Sequence, residues 1–209
     1  MIILFDLDGT LIDATVSITN AFKKSFLENE TAYPGDEAVI SLIGHPLDIM
    51  LSKLNISDDK ISNFVESYKN NYKNSHLETT KLLPGAREAI IMASEFAKIG
   101  VVTTKTSTFS KTLLESMGLR KYFKTIIGRD DVENPKPNKE PIDKALSNIG
   151  NFEGKKIYMI GDTKLDLLAA KSAGINGIGV TCGYGKNLEE YSNLIFPTTL
   201  DAVKYLKNI

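Results

Sequence analysis

The sequence is poor in several residue types that would point to particular classes of protein. It contains one cysteine, Cys182, no tryptophan and two histidines in 209 residues. A single cysteine excludes an internal disulfide and a metal site built from cysteines, and it is typical of a reducing compartment. The formal net charge is only −1, so no overall basic field exists that would bind nucleic acid or an anionic membrane surface. An anionic ligand must therefore be bound by a local group of residues.

Long hydrophobic runs are also missing. No apolar stretch reaches the ~18 residues that a membrane-spanning helix needs, so we expect no membrane partner. The apolar start MIILF has no basic leader and is followed at once by Asp6, which is unlike a secretory signal and favours a cytoplasmic protein. Hydrophobic residues nevertheless make up 42% of the chain, which is enough for a sizeable core.

Five short runs of aliphatic and β-branched residues predict the core of the fold. Continuous apolar runs of this length are typical of strands buried on both faces of a parallel sheet. Residues with helical spacing separate most of them, and Gly118 and Gly150 stand where such helices would end. The alternation predicts an α/β protein with a doubly wound, mostly parallel sheet. The predicted strands are 1–5, 101–104, 125–127, 156–160 and 178–181.

Residues 15–80 interrupt this alternation, because they contain no convincing strand and their hydrophobic spacing is helical throughout. The stretch is too long for a simple connection between a strand and a helix. We predict a helical cap domain at residues 15–80, inserted into a core domain formed by residues 1–14 and 81–209. Within the cap, the aromatic stripe from Phe64 to Tyr72 is interpreted as helix packing rather than as a ligand site.

Pairs of acidic residues follow two of the predicted strands. Asp6 and Asp8 come directly after the first strand, and Asp162 and Asp166 follow the strand at 156–160. Ligands of open α/β sheets bind at the carboxyl ends of strands, and a few carboxylate oxygens suit a hard cation such as Mg²⁺. The alternatives are a solvated acidic turn for the first pair, and a helix cap and a first-turn acid for Asp162 and Asp166 respectively.

A further strand end and a loop carry groups that could bind an anion. Thr103 and Thr104 offer hydroxyls at the end of the second strand, and Lys136 lies in a loop stiffened by prolines. Each of these residues taken alone is most simply structural or solvated. Together with the two acidic pairs, they would place carboxylates, hydroxyls and an ammonium at one edge of the sheet.

These segments resemble the four signature motifs of the haloacid dehalogenase superfamily, in the same order. The motifs are DLDGT at 6–10, VVTT at 101–104, Lys136 with Pro137, and Gly161-Asp162 with Asp166. The similarity covers essentially the whole chain, including the cap, and is greatest to the phosphoglycolate phosphatase-like branch. It implies a Rossmann-like core and a Mg²⁺-dependent phosphatase that hydrolyses a small phosphorylated metabolite through an aspartyl-phosphate.

The resemblance also implies a role for each matching residue. Asp6 corresponds to the nucleophile and Asp8 to the general acid and base, with Thr10 supporting their loop. Two positions depart from the usual pattern of the branch, since Thr104 replaces a common asparagine and Lys139 a common proline. The implied phosphate-binding residues are Thr103, Thr104 and Lys136, and the implied metal ligands are Asp6, Asp8 through its backbone carbonyl, Asp162 and Asp166.

Other activities remain open at this point. A sugar-phosphate mutase or a pyrophosphatase of the same superfamily would share the core groups, although the cap lacks the arginine that such mutases carry. A receiver-like phosphorylation switch also combines aspartates, a threonine and a lysine, but the cap and Asp8 favour turnover. His45 is a candidate for contact with the substrate, with packing or solvent exposure as the alternative.

Overall fold

The computed structural model describes all 209 residues, and its centre is a six-stranded sheet in which every neighbouring pair is parallel. The strands are β1 (Ile2–Phe5), β2 (Ile12–Asp13), β3 (Lys81–Leu82), β4 (Lys98–Val102), β5 (Phe123–Ile127), β6 (Ile157–Gly161), β7 (Asn176–Val180) and β8 (Ile195–Phe196). The order in the sheet is β5-β4-β1-β6-β7-β8, so the order reverses between β1 and β6. The carboxyl ends of strands at such a reversal form the usual ligand-binding crevice of α/β sheets.

Helices cover both faces of the sheet, which confirms the predicted doubly wound α/β fold. The helices are α1 (Thr15–Glu28), α2 (Asp36–Ile40), α3 (Leu47–Lys53), α4 (Asp58–Lys73), α5 (His76–Thr79), α6 (Ala86–Phe96), α7 (Ser107–Ser116), α8 (Glu140–Ile149), α9 (Lys164–Ser172) and α10 (Thr199–Lys207). Because side chains alternate along a strand, Ile3 and Phe5 pack in one core with α6, α7 and α10, while Ile2 and Leu4 pack in another with α8 and α9. None of these helices is long and apolar enough to cross a membrane.

Helices α1 to α5, here called the cap helices, all lie between β2 and β3. Aromatic rings fill the space between α1 and α4. The ring centres of Phe26 and Phe64 are 5.0 Å apart, and those of Phe22 and Tyr68 are 4.9 Å apart. The aromatic stripe of α4 therefore packs against α1 as predicted, although Tyr68 and Tyr72 also line a cavity described below.

The short strands β2 and β3 pair antiparallel, with Ile12 opposite Leu82 and Asp13 opposite Lys81. This two-stranded antiparallel ribbon and strand β8 are both absent from the sequence-based prediction, because two residues are too few to show a period. The second predicted strand is displaced: it is Lys98–Val102, so Thr103 and Thr104 lie in the loop that follows the strand. The first residues of this strand are missing from the prediction because Gly100 interrupts the apolar run.

Candidate active site

Three buried carboxylates meet at the carboxyl ends of the neighbouring strands β1 and β6. Asp6, Asp162 and Asp166 each contribute one oxygen to a group whose members all lie within 4.8 Å of one another. Burial raises the pKa of Asp6 to about 7, against the opposing attraction of Lys136. Burial and repulsion from Asp6 raise the pKa of Asp162 well above its ordinary value. We call these three residues the acid triad.

Two loops hold Asp162 by both of its carboxylate oxygens. Thr10 Oγ1 donates to Oδ1 at 2.9 Å, and the backbone N–H of Tyr184 donates to Oδ2 at 2.8 Å. The loop after β1 can approach this closely because Gly9 has φ +81° and no side chain, and a Cβ there would lie 2.3 Å from Asp162 Oδ2. Asp162 is thus fixed by the loop of the first motif and is not the helix cap that was its alternative.

Asp166 has a structural role beside its place in the acid triad. Helix α9 begins after Thr163, whose backbone N–H and hydroxyl donate to Asp166 Oδ2 at 3.0 Å and 2.8 Å. Its other oxygen, Oδ1, accepts a hydrogen bond from Lys136 Nζ. The first-turn role considered from the sequence is therefore present, with Thr163 as the capping residue.

Lys136 is buried among these carboxylates, which excludes the solvated alternative considered for it. Its Nζ lies 2.9 Å from Asp6 Oδ1 and donates to the Val102 carbonyl at 2.9 Å, in addition to its bond with Asp166. Burial lowers the pKa of this lysine, but the two carboxylates outweigh burial and raise the pKa above its ordinary value. Lys136 therefore stays a cation.

The charges and donor atoms of the acid triad fit a divalent cation. When all three carboxylates are ionised, Lys136 neutralises one, and two negative charges stay buried without a counter-charge. Burial of unpaired charges is costly, and the raised pKa values of Asp6 and Asp162 reflect that cost. A hard divalent ion with carboxylate ligands would supply the missing charge.

The side chain of Asp8 lies outside the acid triad and faces a lysine that the sequence analysis missed. Asp8 Oδ2 is 3.1 Å from Lys105 Nζ, while Asp8 Oδ1 is buried and has no partner. Lys105 directly follows the two threonines at the end of β4. Its position after a predicted strand is the one feature of the sequence that indicates a role in the site, but lysines in loops are usually solvated.

Lys105 also contacts the cap helices. Its Nζ donates to the Tyr72 hydroxyl at 2.9 Å and lies 4.5 Å from the centre of the Tyr72 ring. Burial lowers the pKa of Lys105, but Asp8 and the tyrosines raise it well above the ordinary value overall. A permanent cation thus connects the core residue Asp8 with helix α4.

A cavity of about 290 Å³ lies between the cap helices and the core. His45 lines it, and the pKa of His45 is lowered by burial and by nearby lysines. Thr104 also lines the cavity, but its hydroxyl donates to the Gly44 carbonyl at 3.0 Å, while Thr103 Oγ1 accepts from the Lys105 N–H at 3.2 Å. The other charged or aromatic residues of the wall are Asp8, Asp48, Tyr68, Lys69, Tyr72, Lys105, Phe109, Arg129 and Asp130.

The chain is similar in sequence to known hydrolases. The family model described as haloacid dehalogenase-like hydrolase matches residues 3–180. The chain is 34% identical over 193 residues to the pyrophosphatase PpaX of Halalkalibacterium halodurans, covering 90% of this chain and 86% of that protein. It is 31% identical over 192 residues to the phosphoglycolate phosphatase of Photorhabdus laumondii, covering 87% and 80%.

The fold agrees with these similarities. A haloacid dehalogenase-like hydrolase from Streptococcus pneumoniae superimposes with a TM-score of 0.87 at 28% identity, over 98% of this chain and 97% of that one. The match to the family model begins in β1 and ends with β7, so it includes the acid triad, Lys136 and the cap helices. The resemblance inferred from the motifs is confirmed: the chain belongs to the haloacid dehalogenase-like hydrolase family.

Proposed function

We propose that this hydrolase is a Mg²⁺-dependent phosphatase that cleaves a small phosphomonoester and carries the phosphoryl group on Asp6 during the reaction. The observation that carries the proposal is the pairing of a buried carboxylate, Asp6, with the buried ammonium of Lys136 at 2.9 Å, inside an acid triad that needs a further cation. The relatives named as phosphatases support the same class of reaction.

In the first step, an Asp6 oxygen forms a bond to phosphorus and the bond from phosphorus to the leaving oxygen breaks. A carboxylate that approaches a phosphate dianion meets repulsion, which the Lys136 ammonium offsets while it stabilises charge on the transferring oxygens. Bound Mg²⁺ would supply Lewis-acid stabilisation of the same oxygens. Its proposed ligands are Asp6, the Asp8 carbonyl and Asp162, with Asp166 bound directly or through water.

Asp8 moves the proton in both halves of the proposed reaction. Its unpartnered Oδ1 gives a proton to the departing alcohol and later takes one from the water that attacks the phosphoryl group. The second step releases inorganic phosphate and regenerates the Asp6 carboxylate. No histidine of the core is available for this work, since both histidines, His45 and His76, lie in the cap.

The space between the cap helices and the core supports a small substrate. A cavity of about 290 Å³ suits a small metabolite, and we propose residues 15–80 as a cap domain that closes it over a core domain of residues 1–14 and 81–209. Thr103 and Thr104 are proposed to complete the phosphate site through their backbone N–H groups or hydroxyls.

Inorganic pyrophosphate is a second candidate substrate. Lys69 and Arg129 line the cavity and could receive a second anionic group, and the relative from Halalkalibacterium halodurans is named a pyrophosphatase. Release of phosphate from a panel of phosphorylated metabolites and pyrophosphate would decide between them.

The covalent intermediate is tested with the variant Asp8→Asn and an activated aryl phosphate, whose leaving group needs no proton. Without its base, the second step should slow more than the first, so phosphate should accumulate on Asp6. Rapid mixing, acid quench and mass spectrometry locate it, with Asp6→Asn as the control that should carry none. Phosphate on another residue, or parental turnover of ordinary phosphoesters by Asp8→Asn, would overturn the mechanism.

A further inference from the structure

We propose that Lys105 is a positioning residue, which fixes the carboxylate of Asp8 for proton transfer only while Tyr72 of helix α4 lies over the core. This inference rests on the proposed role of Asp8 as the general acid and base. It adds a residue outside the four motifs and a reason why the cap helices matter for chemistry as well as for enclosing the substrate.

The first observation is that the Asp8 carboxylate has a single polar partner. Lys105 is the one partner of its carboxylate: the ion pair holds Oδ2 at 3.1 Å, and Oδ1 has no hydrogen-bond partner. A carboxylate with one oxygen held and the other free can carry a proton on the free oxygen without losing its anchor. Loss of the ammonium would remove the one polar contact that orients the Asp8 carboxylate.

The second observation is that Lys105 depends on the cap. Its side chain is only 8% exposed, and a buried ammonium needs several partners to be tolerated. Tyr72 supplies two of them, a hydroxyl at 2.9 Å and a ring face at 4.5 Å. Tyr72 belongs to α4, whereas Lys105 and Asp8 belong to core loops, so one ammonium joins the two parts of the molecule.

These contacts make proton transfer conditional on the position of the cap. When α4 lies over the core, the ammonium is shielded from water and its ion pair with Asp8 is strong. If α4 moves away, Lys105 loses Tyr72 and gains water, and an ion pair exposed to water is weak and poorly oriented. Asp8 is therefore aligned when the substrate is enclosed and released when products leave.

The test compares kcat/KM for phenyl phosphate and p-nitrophenyl phosphate, which have nearly the same shape but differ in how much the leaving oxygen needs a proton. Effects on binding, on the fold or on the second step cancel in the ratio of the two values, so the ratio reports proton donation. The variants are Lys105→Met, which keeps the apolar stem, Tyr72→Phe, which keeps the ring, and Asp8→Asn as the reference.

We expect the ratio of phenyl to p-nitrophenyl phosphate to fall at least tenfold in Lys105→Met, in the same direction as in Asp8→Asn, and about threefold in Tyr72→Phe. Lys121→Met is the matched control. Lys121 also lies over a tyrosine ring, 5.3 Å from the centre of Tyr122, but it is exposed and precedes β5, at the amino end of a strand rather than at a carboxyl end. Its ratio should not change.

Equal loss on both substrates in Lys105→Met would overturn the inference, because it would mean that Lys105 binds substrate or only supports the fold. If Lys105→Met does not fold, Tyr72→Phe decides, and an unchanged ratio there has the same meaning. An unchanged ratio in Asp8→Asn would instead overturn the proposed role of Asp8. Failure of the inference is thereby distinguished from failure of the proposed function.

Discussion

Replacement of Lys136 by methionine should strongly destabilise the protein, because it removes the one cation of the acid triad and keeps its carboxylates. Lys136 is 3% exposed and contacts Asp6, Asp166 and the Val102 carbonyl. Breaking a buried ion pair by removal of one partner costs about 3 to 5 kcal/mol. For a protein of this size, that loss corresponds to a fall in Tm of about 6 to 20 °C.

The measurement is urea unfolding in the presence of chelator, so that bound metal does not contribute. Lys139→Met is the matched control, since Lys139 lies on the same loop but is exposed and pairs only with Asp143 at 3.4 Å. The control should change the free energy of unfolding by less than about 0.5 kcal/mol.

The destabilisation should grow with pH. Burial already raises the pKa of Asp6 to about 7, and loss of Lys136 raises it further. A carboxyl group whose pKa is raised by folding favours the folded state at low pH and opposes it as pH rises through the folded value. The deficit of Lys136→Met should therefore be smaller at pH 5 than at pH 8. A deficit below about 1 kcal/mol at pH 8, or one equal to that of Lys139→Met, would refute this reasoning.

Three further predictions concern the cation and the loop that faces it. Excess EDTA should abolish phosphate release and added Mg²⁺ should restore it, whereas full activity in EDTA would contradict the metal assignment. Asp162→Asn should raise the Mg²⁺ concentration for half-maximal activity by about tenfold or more, and an unchanged Mg²⁺ titration would argue against ligation by Asp162. Gly9→Ala should lower both activity and the free energy of unfolding, since its Cβ would meet Asp162 Oδ2 at 2.3 Å. Gly118→Ala is the control, because Gly118 has a similar positive φ but a Cβ there would meet no atom within 4 Å, so this variant measures the cost of backbone strain alone. Equal losses in the two variants would contradict the contact with Asp162.

The acid triad could be anticipated from the sequence because parallel strands place their carboxyl ends at one edge. Asp6 and Asp162 directly follow β1 and β6, which are neighbours in the sheet, so their meeting needs only the correct strand order. The strand pattern is readable because β1 and β6 are continuous apolar runs. Boundaries were less certain where glycine interrupts such a run, as at Gly100 in β4.

The contact between Lys105, Asp8 and Tyr72 could not be anticipated in the same way. Tyr72 and Lys105 are 33 residues apart, and they meet only because the cap helices lie over the core. In sequence, Lys105 has the same appearance as a solvated loop lysine, and Tyr72 continues an apolar stripe that packs on α1. Thr104 is similar, because its hydroxyl donates to the carbonyl of the cap residue Gly44, and this contact also depends on the position of the cap helices.

The antiparallel ribbon of β2 and β3 has a consequence for how the length of the inserted segment can vary. Ile12 and Leu82 are paired, so the chain leaves the core and returns to it at neighbouring positions. The backbone N–H of Leu83 also donates to the Leu11 carbonyl at 3.0 Å. The entropy lost in closing a loop grows only with the logarithm of its length. Once this pair is fixed, an inserted segment about five times longer adds only roughly 1.4 kcal/mol to that cost. The core can therefore accommodate large changes in the size of the inserted segment without alteration of the sheet that holds the acid triad.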